Sequence, residues 1–235
     1  MDPDRAGFPA TFLRFRRCSR RRTIRRHMHM NQDSQDAVDP DAATVARLQA
    51  GEERAFDELM VRYKAPVIQF VYRMLNDAGE ADDVAQEVFV RVYRNIHRFK
   101  ASGKHRFSTW LFQIARNQAI DVLRKRRRRP VELGFFGGDG VGEPVLPRFS
   151  ADREAEWKEV GDAISRAVFA LPEKQKTAFI LAEYHDRSHA AIAAIMNCSV
   201  KSVESRLARA RQSLRSELAP LMGAGGMTPR RSVEH

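Results

Sequence analysis

The stretch CSVKSVESRLARARQSLR, residues 198–215, carries five basic residues against one acid, a net charge of about +4. At helical spacing, Val200, Val203, Leu207 and Leu214 fall on one side and Lys201, Ser202, Ser205, Arg209 and Gln212 on the other. Arginine and lysine grip phosphates or guanine edges, while short hydroxyl and amide side chains bond to bases or backbone. That mixture on one face is the chemistry of duplex nucleic acid; the competing reading is a solvated surface helix. Arg206 joins Lys201 and Arg209 as a phosphate or base candidate. Glu204 is an acid where phosphates should approach: it accepts from a cytosine amine, or it marks a weak consensus.

The residues just upstream favour the groove. Two helices crossing closely need a small residue on the first, and Ala193 supplies it. The turn needs a residue that tolerates positive φ, and Asn197 does, less comfortably than glycine. Cys198 can plug the corner, Ser199 can cap the second helix, and Ile192, Met196, Val203 and Leu207 can bury the interface. Together these meet the demands of a helix-turn-helix, whose second helix turns its N-terminal residues to base edges. An ordinary helical hairpin is the alternative.

Two further clusters carry charge. DAGEADDVAQE (77–87) has five acids and no base, while residues 106–129 hold eight Lys or Arg against Asp121. The second cluster is preceded by Lys104 and His105 and opens with Arg106, Phe107, Ser108, Thr109 and Trp110, basic and ring-bearing residues suited to single-stranded bases. Trp110 has two readings, core packing and stacking on a base. The arginines at 126–129 are a phosphate-facing patch or merely solvated. No catalytic constellation competes. The seven histidines form no metal motif; His185 and His189 stand four apart without the glutamate of a zinc protease. There is no P-loop, no Gly-x-Ser-x-Gly and no dinucleotide fingerprint. The expectation is a protein that is not an enzyme and needs no cofactor, metal or small-molecule substrate.

The composition agrees with a polyanion partner: 235 residues, formal charge +11 and a pI near 10.2. No run approaches the roughly 18–20 apolar residues of a membrane span. Only Cys18 and Cys198 are present, without metal-ligand spacing, which points to a reducing cytosol rather than a disulfide framework. Residues 1–30 hold nine arginines against Asp2 and Asp4 and lack the apolar core of a secretory signal. They read as a disordered extension or as translation from a wrong start, with Met28 or Met30 better starts; a basic nucleic-acid arm is the other reading.

The elements that must position these residues are all helical. Val45 and Leu48, then Phe56, Leu59, Met60 and Tyr63, follow a buried stripe, broken at Gly51 and ended or kinked at Pro66. Val67, Phe70, Val71 and Met74 continue it to Asn76, a left-handed C-cap. Acids at 77–83 start a helix on Val84, Val88, Val92 and Ile96. Ser108 or Thr109 can cap the next, which runs from Trp110 to the arginine run. Residues 130–150, rich in Gly and Pro, read as a linker. A second helical block follows, with Pro172 at a first helical position. The expected fold class is all-α: two small helical domains joined by a flexible linker, the second holding the helix-turn-helix. The expected boundaries are an extension at 1–40, a first domain at 41–129, a linker at 130–154, a second domain at 155–219 and a disordered tail at 220–235.

Two segments, ADDVAQEVFVRVYRNIHRF…FSTWLFQIARNQAIDVLRKRRRR and ALPEKQKTAFIL…IAAIMNCSVKSVESRLARARQSL, resemble the extracytoplasmic-function group of bacterial RNA polymerase sigma factors. The resemblance covers about residues 41–129 and 155–218, as sigma domains two and four. It implies that Asp83, Gln86 and Glu87 bind the β′ clamp of core polymerase, which also contacts the protein through its β subunit. It implies that Lys104, His105, Arg106, Phe107, Ser108, Thr109, Trp110, Arg116, Asn117, Asp121, Arg124 and Lys125 open the minus-ten element and hold its single strand. Ser199, Lys201, Ser202, Glu204, Ser205, Arg206, Arg209 and Gln212 would read the minus-thirty-five duplex. This sequence departs from the family pattern at Asn197, usually Gly, at Lys201-Ser202, often Gly-Thr, and at Glu204, commonly basic. The implied role is recruitment of polymerase to specific promoters and melting of DNA without catalysis, in the cytoplasm, with an anti-sigma partner. The other reading is a helix-turn-helix regulator of duplex DNA that never touches polymerase; it leaves the acidic helix and residues 104–129 unexplained.

Overall fold

A computed structural model describes residues 39–100, 106–128 and 151–224, with side chains in the last stretch from 160 to 220. Helix is the only regular structure among the described residues. Residues 1–38, 101–105, 129–150 and 225–235 lie outside them, and with them most of the spans read as extension, linker and tail.

The first group holds α1 (Ala42–Gln49), α2 (Arg54–Leu75), α3 (Ala78–Asn95), a 3₁₀ turn at Ile96–Arg98, and α4 (Phe107–Arg128). The connection after α1 turns at Gly51, whose φ of +95° suits a residue without a Cβ. The helix α2 runs unbroken through Pro66, although the sequence predicts an end or kink there. A proline removes one N–H from the ladder, and burial of Val67, Phe70, Val71, Met74 and Leu75 beyond it holds the helix on course. Asn76 ends α2 in the left-handed conformation, φ 54°, as its type predicts. Asp77 caps α3 by accepting the Glu80 N–H at 2.9 Å, and Ala81, Val84, Ala85, Val88, Phe89 and Val92 form its buried stripe.

The start of α4 is capped from a distance. Asp39 Oδ2 accepts the Phe107 N–H at 2.7 Å across 68 residues of sequence. Ser108 and Thr109, expected as caps, lie inside the helix and are buried. Beside this cap, Asp41 is fully buried and accepts from the Tyr63 hydroxyl and Arg62. Burial, then the Asp41 carboxylate, keeps the Tyr63 hydroxyl protonated above its ordinary range. The far end of α4 is tied as well: Arg126 donates to Leu75 O (3.0 Å) and pairs with Asp77 and Glu80. One arginine of the run is therefore a structural clamp.

The second group holds α5 (Ala151–Ala170), α6 (Glu173–Glu183), α7 (His189–Met196) and α8 (Val200–Ala224). The helix α5 begins inside the span read as linker, and α8 continues past Pro220. Pro172, predicted at the first helical position, sits at the N-cap of α6, one residue before Glu173 begins the helix. Ser188 caps α7 by accepting the Ala191 N–H at 3.2 Å. Asn197 then takes φ 49°, the Cys198 N–H bonds Ala193 O at 3.0 Å, and Ser199 Oγ accepts the Ser202 N–H at 3.2 Å. Ile192, Met196, Val203 and Leu207 are buried between α7 and α8, with Cys198 packed against them. This is the helix-turn-helix expected from the sequence.

The two groups share a seam. Lys176 Nζ donates to Phe169 O (2.9 Å) and to Met74 O of α2 (3.4 Å), and Gln113 Nε2 of α4 donates to Ala194 O of α7 (2.9 Å). The turn after α6 enters the groove between α2 and α4. There the Arg73 guanidinium lies 3.6 Å over the Tyr184 ring, and His185 meets Phe112 and Phe70 at centroid distances of 5.2 and 5.8 Å.

Candidate nucleic-acid interface

On α3 the buried valines turn Asp82, Asp83, Gln86 and Glu87 to solvent. Asp83 and Gln86 are exposed, while Glu87 pairs with Arg91 at 2.9 Å, one turn on. The same face continues into Val90 and Tyr93, exposed large apolar side chains that the charge pattern does not reveal. Their signal is a helix with more apolar positions than its buried stripe requires. An acidic edge beside two apolar groups suits a basic, partly apolar protein surface.

On α4 the expected strand-binding residues divide. Lys104 and His105 fall outside the described residues. Arg106 is half-buried at the helix start. Phe107 is a core side chain, not a platform for bases: it is fully buried, with Tyr63, Phe99 and Trp110 rings at 5.6, 6.0 and 6.1 Å. Ser108 and Thr109 are buried too, and Ser108 Oγ accepts from Arg187 at 3.3 Å. The Arg116 guanidinium reaches Asn117 Oδ1 (3.3 Å), and its Nε is buried without a partner. Burial works against its charge, with Glu173 of α6 opposing and Arg206 reinforcing, so Arg116 points into the seam.

The outward strip of α4 is open. Asn117, Asp121, Arg124 and Lys125 are exposed, with Asp121 and Arg124 paired loosely at 3.8 Å. Beside the strip lies a pocket lined by Arg91, Asn95, Arg98, Phe99, Trp110, Ile114 and Asn117. The half-buried Trp110 ring stacks on Phe99, with centroids 5.0 Å apart and planes 29° off parallel. Trp110 thus serves both readings: it packs on Phe99 and still lines an opening. Arg91, Asn95 and Arg98 of that pocket escaped the sequence reading because they come from the preceding helix and turn. Flat rings, amides and cations around one opening can stack on a base, bond its edge and neutralise its phosphate.

On α8 nearly the whole expected set faces solvent. Ser199, Lys201, Glu204, Ser205, Arg209 and Gln212 are exposed, and Ser202 is half-exposed. Arg206 differs: its Nη1 lies 3.1 Å from Cys198 Sγ and 3.9 Å from Met196 Sδ, against the turn. Glu204 Oε1 stands 3.8 Å from His189 Nδ1, so the acid faces the start of α7.

A helix-turn-helix with an open cationic face, next to a bundle that pairs an acidic helix with a ring-lined pocket, matches known proteins in both halves. Residues 59–129 match the family described as Sigma-70 region 2, and residues 161–214 the one described as Sigma-70, region 4. The RNA polymerase sigma-H factor of Pseudomonas aeruginosa is 36% identical over 189 residues, covering 77% of this chain and 95% of that one. The chain belongs to the extracytoplasmic-function (ECF) group of RNA polymerase sigma factors. The ECF sigma-E factor of Escherichia coli is 33% identical over 189 residues (77% of this chain, 96% of the relative). SigW of Bacillus subtilis is 33% identical over 185 residues (75% and 96%). Among solved structures, CnrH in complex with the cytosolic domain of CnrY superposes with a TM-score of 0.56, at 24% identity, over 79% of this chain and 98% of that one. The sigma factor RpoE in complex with the anti-sigma factor NepR from Bartonella quintana gives 0.56 at 21% identity, over 70% and 96%. Both share the fold of two helical parts.

This sigma factor binds core RNA polymerase, directs it to promoters and helps melt them for initiation. The reading as a regulator independent of polymerase falls away, because the region 2 match covers the acidic helix and α4. No described helix is long and apolar enough to cross a membrane.

Proposed function

We propose a division of labour along the chain. Residues 41–129 act as sigma domain two and 155–219 as sigma domain four. Asp83, Gln86 and Glu87, extended by Val90 and Tyr93, seat the β′ clamp. Lys104, His105, Arg106 and Trp110 with Asn117, Asp121, Arg124 and Lys125 work the minus-ten strand, the exposed strip and the Trp110 pocket making first contact, while Phe107, Ser108, Thr109 and Arg116 hold the head of α4 and the seam behind them. Ser199, Lys201, Ser202, Glu204, Ser205, Arg209 and Gln212 meet the minus-thirty-five duplex, with Arg206 shaping the turn behind them. The role is recruitment without catalysis, in the cytoplasm, under an anti-sigma factor of the kind bound to the RpoE of the Bartonella structure.

The observation that carries this reading is the opposition of two outward faces. Asp83 and Gln86 stand on an acidic helix edge over buried valines, and Lys201, Arg209 and Gln212 stand on a cationic edge over buried Val203 and Leu207. Such opposed surfaces suit two different macromolecular partners. Competition binding of core polymerase tests the assignment. Asp83→Arg should weaken assembly by about tenfold or more, a loss of ~1.4 kcal/mol, with duplex affinity unchanged. Assembly at wild-type strength would remove Asp83 from the polymerase face.

A further inference from the structure

We propose that Asp39 and Gln49, at the two ends of the α1 segment, are positioning residues for strand binding: they pin the chain on both sides of the ring stack that lines the Trp110 pocket. The proposal rests on the reading of that pocket as a strand site. Among the described residues lining the pocket, neither appears. Gln49 Nε2 donates to Ile96 O and to Phe99 O, both at 2.7 Å, where α3 and its 3₁₀ turn end. Asp39 Oδ2 accepts the Phe107 N–H at 2.7 Å, where α4 begins. Both bonds span long stretches of sequence, 50 residues from Gln49 to Phe99 and 68 from Asp39 to Phe107. They fasten the two phenylalanines on either side of residues 100–106. Those rings lie 6.0 Å apart, and each meets Trp110, Phe99 at 5.0 Å and Phe107 at 6.1 Å.

The helix α1 does not depend on these bonds to stay in place. Val45 and Leu48 bury its apolar side, and Arg47 ties it to Glu58 of α2 at 3.0 Å. Its polar ends are left over from that packing, and both turn to the same frame. The Asp39 carboxylate is itself oriented, because its Oδ1 accepts the Asp41 N–H at 3.1 Å. Asp41 in turn is buried and accepts from Tyr63, whose ring lies 5.6 Å from Phe107. The Gln49 amide uses both of its hydrogens, one of them on Phe99 O beyond the last turn of the helix. Ring stacking tolerates sliding, whereas a hydrogen bond fixes distance and angle. The rings alone would therefore set the pocket wall loosely, and the two backbone ties set it firmly. A binding site works when its groups are held within about 0.5 Å of their productive places by the shell behind them.

The test uses the full-length chain assembled with core polymerase. The probe is a single-stranded oligonucleotide carrying the minus-ten non-template strand of a promoter the chain transcribes. Gln49→Met keeps the side chain's length and removes both N–H donors. Asp39→Ala removes the cap, and Asp39→Asn keeps an acceptor for the Phe107 N–H. Gln49→Met and Asp39→Ala should each weaken the oligonucleotide by about tenfold. Asp39→Asn should recover most of that loss. Affinities for core polymerase and for the minus-thirty-five duplex should not change in any of them. The emission of Trp110, read alone in a Trp157→Phe background, should shift in Gln49→Met and Asp39→Ala whether or not a strand is bound. Wild-type strand affinity with unshifted emission overturns the proposal, and so does a loss that falls on strand and duplex alike. If circular dichroism shows Gln49→Met unfolded, Asp39→Ala against Asp39→Asn decides. Trp110→Ala separates the two layers of the argument. If it keeps the strand, the pocket reading fails and the proposal with it; if it loses the strand while Gln49→Met and Asp39→Ala keep it, the proposal alone fails.

Discussion

The two helices proposed to read DNA, α4 and α8, meet solvent differently. The helix α8 buries one stripe, through Val203, Leu207, Ala210 and Leu214, and presents its polar side whole. The helix α4 buries Leu111, Ala115 and Gln118 and also Thr109, Phe112 and Ile120, and keeps Asn117, Asp121, Arg124 and Lys125 open, with Arg127 and Arg128 at its end. The tasks proposed for them account for the contrast. A duplex arrives with its groove already formed and needs only an exposed ridge. A melted strand needs pockets and rings, which must be held rigidly and kept from collapsing on themselves. Rigidity costs exposure, and α4 obtains it from the Asp39 cap at one end, the Arg126 clamp at the other and a ring cluster between.

Phe107→Ala removes a fully buried ring at the head of α4 and should cost ~3–5 kcal/mol, read as a lower urea midpoint. A loss below ~1 kcal/mol would mean that the head of α4 is not core. Arg209→Ala, on the exposed face of α8, should leave the urea midpoint in place. It should instead weaken the minus-thirty-five duplex by ~1–3 kcal/mol if it reads a base, or flatten the salt dependence by about one unit if it grips a phosphate. Neither change would place Arg209 in solvent.

The smallest effect concerns Lys176. Burial, then Arg127, lowers its ammonium to about 8, with Glu173 opposing. The unfolded chain holds that proton to higher pH, so the folded state gains stability as pH rises through 8 toward about 9.5. Above that, the Tyr63 and Tyr184 hydroxyls, both raised by burial, work the other way. Denaturation midpoints across that window should climb in the wild type and stay flatter in Lys176→Met. Equal slopes in both would show that Lys176 keeps its ordinary affinity for the proton.

Local features were legible in the sequence. Asn76, Asp77, Asn197 and Ser199 cap or turn the chain as their types suggest, because such caps involve partners three or four residues away; Ser108 and Thr109, read as caps on the same ground, are inside α4. Long-range features were not. Nothing near Phe107 announces a cap from Asp39, and nothing in the arginine run distinguishes Arg126, whose partners lie 46 to 51 residues earlier. The seam left one trace. Phe112 extends the apolar side of α4 past the Leu111–Ala115 face, and its ring meets His185 and Arg187 at the seam. The pocket at Trp110 was half-visible: the tryptophan stood out, but the amides and arginines that complete it arrive from α3 and the following turn.

The central claim is that two oppositely charged edges serve two different partners, the acidic edge of α3 core polymerase and the cationic edge of α8 promoter duplex. The most direct measurement sets Asp83→Arg and Arg209→Ala side by side in binding to core polymerase and to the minus-thirty-five duplex. Asp83→Arg should lose polymerase and keep the duplex, and Arg209→Ala should do the reverse; variants that weaken both partners alike would contradict the claim.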